Sequence, residues 1–296
     1  MIYKKITIKD IKNFELKDTF ECGQCFRWKK ESNGSYTGVV KIGVINVNKH
    51  KTTIEICGFV DEKIDLLDFC TNYLDLNRDY DKVHKIISKD DEVMKTAIKF
   101  GKGIRILNQD PWEMLISYII SAANNIPRIS KTIENISRKF GKKIKLSDVE
   151  NERLTGNKEE KEYYLFPTPK ELSKSTLSDL RECNLGFRDK YVYGAVELVN
   201  KKEIDLAKIE DLDYISGKKA LTKIPGVGSK VADCILLFSM KKSEAFPVDT
   251  WIIKIMNEIY IDSRNKRRIN EYALNKWGIN AGIAQQYLFY YKRENS

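Results

Sequence analysis

The 296-residue chain is poor in several things, and each shortage closes off a class of function. It has no apolar run approaching the roughly 18 residues a membrane helix needs, and its opening MIYKKITIKD lacks the apolar stretch of a secretory signal. A cytoplasmic protein is expected, nucleoid-associated if the source is bacterial. Only two histidines occur, His50 and His84, and of six cysteines only Cys22 and Cys25 form a C-x-x-C pair, without further residues at ligand-like spacing. No metal is expected, and in a reducing compartment the thiols stay free. Cysteine is absent after Cys234 and proline before Pro111.

What is present can bury a core: 42% of residues are hydrophobic, and 52 Lys+Arg against 42 Asp+Glu leave a net charge of +10. That surplus suits a polyanionic partner; an anionic membrane surface or simple solubility would use the same charge. The texture changes near Asn108, dividing the chain into residues 1–108 and 109–296. In the first part, Asn33-Gly34 is a hairpin signal between Cys25–Lys29 and Tyr36–Val40, followed by strand-like runs at Val44–Val47 and Thr53–Cys57. Residues 61–73 and 81–100 read as helical, so this part is α+β with an antiparallel sheet. The second part is mostly helical. Asp110-Pro111-Trp112-Glu113 and Thr168-Pro169-Lys170-Glu171 each place a cap, a Pro at the first helical position and a Glu able to reach back. Pro127 opens a helix with Ile129, Ile133, Ile136 and Phe140 on one face, ended by Gly141. Residues 151–163 read as a solvated polar insertion.

The chemistry is concentrated in LTKIPGVGSKVADCILLFSM, Leu221 to Met240, where a short helix turns through Pro225-Gly226-Val227-Gly228 into a new apolar helix. Gly226 and Gly228 let such a turn bring backbone N–H groups to a phosphate, with the positive end of the next helix aimed at the same anion. An ordinary corner between helices would read alike. Nineteen residues beyond Lys230 stands Asp249, in Pro247-Val248-Asp249. An amine beside apolar groups can serve as a nucleophile, and a nearby carboxylate can stabilise positive charge on a sugar ring. A solvated lysine and a helix-capping aspartate are the plain alternatives.

Through LTKIPGVGSKVADCI and FPVDTW the chain resembles the helix-hairpin-helix glycosylases with a Gly/Pro-rich loop and a catalytic Asp. Within that superfamily it is similar to the 8-oxoguanine DNA glycosylase/lyase family. That likeness extends to CGQCFRW from Cys22, NNIPRI from Asn124, LGFRDKY from Leu185 and AQQYLF from Ala284, covering nearly the whole chain. The resemblance implies an N-terminal antiparallel β-sheet region packed on a mostly helical body whose C-terminal helix closes a base pocket. It further implies a monomer without organic cofactor that acts on double-stranded DNA containing 8-oxoguanine opposite cytosine, releasing the base and cutting the strand by β-elimination.

Residue by residue, the resemblance makes Lys230 the nucleophile that forms a Schiff base with the sugar and Asp249 the stabiliser of the cationic sugar. Cys234 and Phe289 become the walls around the flipped base, Gln285 the reader of its Watson–Crick edge, and Gly23 the carbonyl that accepts from N7–H. Phe187 becomes the wedge, Arg128 and Arg188 the grip on the estranged cytosine, and Asn124, Asn125, Gly226 and Gly228 further DNA contacts. Gln285 and Phe289 stand four apart, so on a helix an amide and an aromatic face project from one side, as a reader of an extruded base requires.

Three departures accompany the likeness. Ala123 stands where the family in animals and fungi usually has asparagine, and Trp251 where it often has histidine. The lack of cysteine after Cys234 argues against the iron–sulfur branches. Two alternatives remain: a glycosylase for alkylated purines, which normally lacks the lysine, and a non-catalytic hairpin module, which leaves Gln285 and Phe289 unexplained.

Overall fold

A computed structural model describes residues 1–295. Its first part is built on β1 (Ile2–Ile8), β2 (Trp28–Lys30), β3 (Tyr36–Val40), β4 (Gly43–His50) and β5 (Thr53–Val60), in the order β1-β5-β4-β3-β2, every pair antiparallel. The Asn33-Gly34 turn forms as read: Asn33 accepts from the Ser35 N–H at 2.9 Å while Gly34 takes φ +86°. Strand β1, which the pattern did not announce, pairs from Ile2↔Val60 to Ile8↔Ile54. It is an edge strand of largely exposed and half-buried residues, so it lacks a core signature.

Side chains alternate across the sheet with the period of two that a pleated strand dictates. Ile45, Val47, Ile54, Ile56 and Val60 meet Phe14, Phe20, Leu66 and Tyr73 on one face. Val44 and Phe59 point the other way, onto Ile144, Leu146, Leu154 and Tyr163. This second layer corrects the expectation of a solvated insertion at 151–163. A helix Asp148–Thr155, started by a Ser147/Glu150 capping box, packs with a small hairpin of β6 (Lys143–Leu146) and β7 (Lys161–Tyr164). Its charged residues face water, while Asn151 is fully buried, accepting from the Tyr163 hydroxyl at 3.0 Å. The expected helix at 81–100 is two helices, Tyr80–Ile87 and Glu92–Phe100, because Asp90 turns left-handed at φ +55° and Asp91 caps the second.

The body is a helical core fed by both parts of the chain: Cys22, Phe26, Tyr80 and Met94 join the same cluster as Leu115, Ile133, Leu236 and Tyr287. The helix Ile126–Phe140 runs between the Asn125 cap and Gly141, and its Ile129, Ile133 and Ile136 are buried. Thr168 and Glu171 form the expected capping box, but Glu113 does not reach back to Asp110. Instead it is buried 3.8 Å from the Arg27 guanidinium. No helix among the described residues is long and apolar enough to cross a membrane.

Burial lifts the Glu113 carboxyl to about 7, against the opposing pull of Arg27. Between its ordinary value of 4.5 and 7 the folded chain holds a proton that the unfolded chain releases, so this group's contribution to stability falls as pH rises through that window. Glu113→Gln is therefore expected to gain stability relative to the parent between pH 5 and 8, by on the order of 2–3 kcal/mol, measured by urea unfolding at both pH values. A constant difference across that range would contradict the assignment.

Candidate active site

The helix Tyr214–Leu221, the turn through Gly226 and the helix Ser229–Ser239 form the hairpin. Its two glycines do different work. Gly226 takes φ +84°, and a Cβ there would lie 2.7 Å from Tyr191, so only glycine lets the turn close on the helix Asp189–Asn200. Gly228 precedes the Ser229 helix with no side-chain cap, and a Cβ there would meet nothing. The first amides of that helix therefore stand open to an anion. Behind the hairpin, Asp233 is buried between Lys218 at 2.8 Å and the Tyr214 hydroxyl at 2.9 Å, tying the two helices together. Burial lifts its carboxyl to about 6.

Lys230 lies in the first turn of its helix and lines one cavity with Gly23, Tyr118, Cys234, Asp249, Gln285, Gln286 and Phe289. Its ammonium sits 5.3 Å from the centre of the Tyr118 ring, and it makes no ion pair within 4.0 Å among the described residues. Four residues on, the Cys234 thiol is pushed up to about 11 by burial, with Lys230 pulling the other way. It stays neutral near pH 7. Asp249 caps the helix Thr250–Ile255, accepting from Ile252 N–H at 2.8 Å. Its carboxyl is raised by burial and lowered by that hydrogen bond and by Lys230. Capping and facing Lys230 thus coexist. Trp251 follows on the same helix, half-buried.

The helix Ala281–Glu294 supplies the far side. Gln285 is 4% exposed, and its Oε1 is buried without a hydrogen-bond partner. Such an acceptor is costly unless something arrives to use it. One turn on, the half-buried Phe289 comes within 3.2 Å of where a Cβ on Gly23 would sit, and Gly23 itself has φ +93°. The cavity is about 50 Å³, room for a few waters.

The remaining expected residues form a band leading from this cavity. Ile126 reaches to 3.5 Å of the Gly23 position. Asn124 bonds to the Ile120 carbonyl at 3.1 Å, and Asn125 caps the next helix through Arg128 N–H at 3.0 Å, leaving the Arg128 side chain exposed. Arg188 is only 7% exposed and is engaged by the carbonyls of Ala122 at 2.8 Å and Ala123 at 2.9 Å. Its guanidinium lies 4.3 Å from the Phe187 ring, which is 58% exposed. Ala123 holds φ +49°, a conformation asparagine adopts more readily than alanine. Tyr118, Phe238, Pro247 and Gln286 also line the cavity and escaped sequence reasoning; as buried residues of common type, they carry no local signal.

The family model described as "8-oxoguanine DNA glycosylase, N-terminal domain" matches residues 6–115, and that described as "HhH-GPD superfamily base excision DNA repair protein" matches residues 116–278. A "Probable N-glycosylase/DNA lyase" of Methanothermobacter thermautotrophicus is 30% identical over 96% of this chain and 95% of its own length. "N-glycosylase/DNA lyase OGG1" of Arabidopsis thaliana is 30% identical over 92% of this chain and 75% of its own. Among solved structures, the Clostridium acetobutylicum 8-oxoguanine glycosylase/lyase in complex with dsDNA containing cytosine opposite to 8-oxoG is 42% identical. That alignment has a TM-score of 0.89 and covers 100% of this chain and 98% of that one.

Proposed function

The chain belongs to the 8-oxoguanine DNA glycosylase/lyase family, and from this we propose that Lys230 and Asp249 carry out base excision on an oxidised purine held between Cys234 and Phe289. The protein is a bifunctional DNA glycosylase and lyase that removes 8-oxoguanine from duplex DNA. The observation that carries the residue assignment is that a lysine outside any ion pair and a half-buried aspartate line one cavity with a partnerless amide acceptor.

Lys230 Nζ attacks C1′ of the extruded nucleotide; the C1′–N9 bond breaks and its electron pair leaves with the base. Asp249 faces the positive charge that develops on the sugar. The attacking nitrogen loses a proton, and the C1′–O4′ bond then opens with a proton taken up at O4′, leaving an iminium; this acidifies C2′–H, and loss of that proton expels the 3′-phosphate. Cys234 and Phe289 sandwich the purine, while Gln285 Oε1 accepts from its Watson–Crick donors. Gly23 selects the lesion. Its carbonyl meets the N7–H of 8-oxoguanine, whereas guanine presents a lone pair at N7, a mismatch of roughly 1–3 kcal/mol. Because the slot holds only a few waters, Phe289 has to shift to admit a purine.

The band Phe187, Arg188, Asn124, Asn125 and Arg128 meets the opening left in the duplex, and Gly226 and Gly228 hold phosphate on the same face. Arg188, engaged by the Ala122, Ala123 and Leu185 carbonyls, acts as a brace for the Ala122–Ala123 segment as well as facing the duplex. Extrusion costs a few kcal/mol, which the wedge and new hydrogen bonds offset.

Gln285→Ala and Phe289→Ala are expected to weaken binding to an 8-oxoguanine duplex by roughly tenfold or more each, with little change on undamaged duplex, since phosphate contacts supply the nonspecific part. Equal losses on both duplexes would remove these residues from base recognition. An excision panel over the four opposing bases then reads how far Ala123 relaxes the preference for cytosine.

A further inference from the structure

Four consecutive carbonyls, from Glu21 to Gln24, surround the recognition glycine, and three of them are occupied by side chains from elsewhere in the chain. Glu21 O accepts from Arg293 Nη2 at 2.8 Å, and Cys22 O from Gln286 Nε2 at 2.9 Å. Gln24 O accepts from Gln109 Nε2 at 2.8 Å and from the Tyr118 hydroxyl at 3.2 Å. The Gln24 side chain is anchored too, donating to Thr19 O at 2.9 Å and Arg105 O at 2.8 Å and accepting from Leu107 N–H at 2.9 Å. Only the Gly23 carbonyl accepts no hydrogen bond among the described residues.

We propose that Gln286 is a positioning residue for lesion recognition, fixing the peptide that leads into Gly23 so that the one free carbonyl is presented to the purine's N7–H. This rests on the reading of Gly23 above. Glycine at φ +93° has no side chain to hold its place, so the position of its carbonyl depends on the flanking peptide planes. Gln286 holds the plane before it, and Gln109 with Tyr118 the plane after it. Gln286 is 2% exposed and adjoins Gln285, so one helix both reads the Watson–Crick edge and braces the opposite rim. A hydrogen bond meant to separate two bases by a single proton tolerates only about half an ångström of play.

The test uses the full chain with Lys230→Gln added to prevent turnover, and measures Kd for three duplexes: 8-oxoguanine opposite cytosine, guanine opposite cytosine, and a stable abasic analogue. Gln286→Met conserves volume but removes the donor. It is expected to lower the 8-oxoguanine-to-guanine affinity ratio by roughly tenfold or more, with a far smaller change on the abasic duplex. Gln286→Glu keeps the shape and donates only when protonated, so its ratio should recover as pH is lowered, a dependence that a purely structural role does not produce. An unchanged ratio in both variants, or equal weakening on all three duplexes, would overturn the proposal. A parent that does not prefer 8-oxoguanine would overturn the substrate reading and this inference with it. A parent that prefers it alongside variants that retain the preference would overturn the inference alone.

Discussion

Lys230→Gln is expected to leave no covalent adduct when the protein is mixed with an 8-oxoguanine duplex and borohydride, and to slow base release at least about a thousandfold. Gln retains most of the side chain's length and its packing over Tyr118 but has no nucleophilic nitrogen, so binding to the lesion should persist while chemistry stops. Single-turnover excision and gel-resolved trapping measure the two effects separately. Persistent trapping in the variant would assign the reaction to another amine, and the account of the cavity would have to be rebuilt around it.

Asp249→Asn is expected to slow base release by about 10²–10³-fold, the usual consequence of removing one preorganised charge from a water-poor site. The substitution is informative because Asn caps a helix nearly as well as Asp. The bond to Ile252 N–H can therefore survive, and the melting temperature should change little while the rate falls. Burial raises the Asp249 carboxyl, so its charge is lost at a higher pH than that of an exposed aspartate. Its stabilising effect on the sugar should weaken correspondingly early on acidification. A rate within a few-fold of the parent would leave Asp249 a cap and nothing more.

Much of this architecture is legible in the sequence wherever the cause is local. The Asp110-Pro111 start, the Asn125-to-Gly141 limits and the Asn33-Gly34 turn are each encoded within a few residues, and each forms. The hairpin and its lysine are equally local. Features that depend on distant partners are not legible. The charge-rich residues 151–163 look solvated until Val44 and Phe59 on the outer sheet face supply something to bury against. Glu113 reads as half of a capping box, yet Arg27, far away in sequence, draws it inward. Gln285 and Gln286 are identical neighbours in the chain, and the fold alone distinguishes the partnerless amide from the one bound to Cys22 O. Arg188, which the resemblance offers only as a grip on the estranged cytosine, is also held by the backbone of Ala122, Ala123 and Leu185.

The helix Ala281–Glu294 carries one wall of the slot, Phe289, and also holds the Gly23 loop, through Gln286 and Arg293 bonded to the Cys22 and Glu21 carbonyls. A small roll or slide of this rod therefore carries that wall and the recognition loop in the same direction. Wall and loop thus keep step with each other, which suits a device that must reject an intruder differing from its target by one oxygen and the place of one hydrogen.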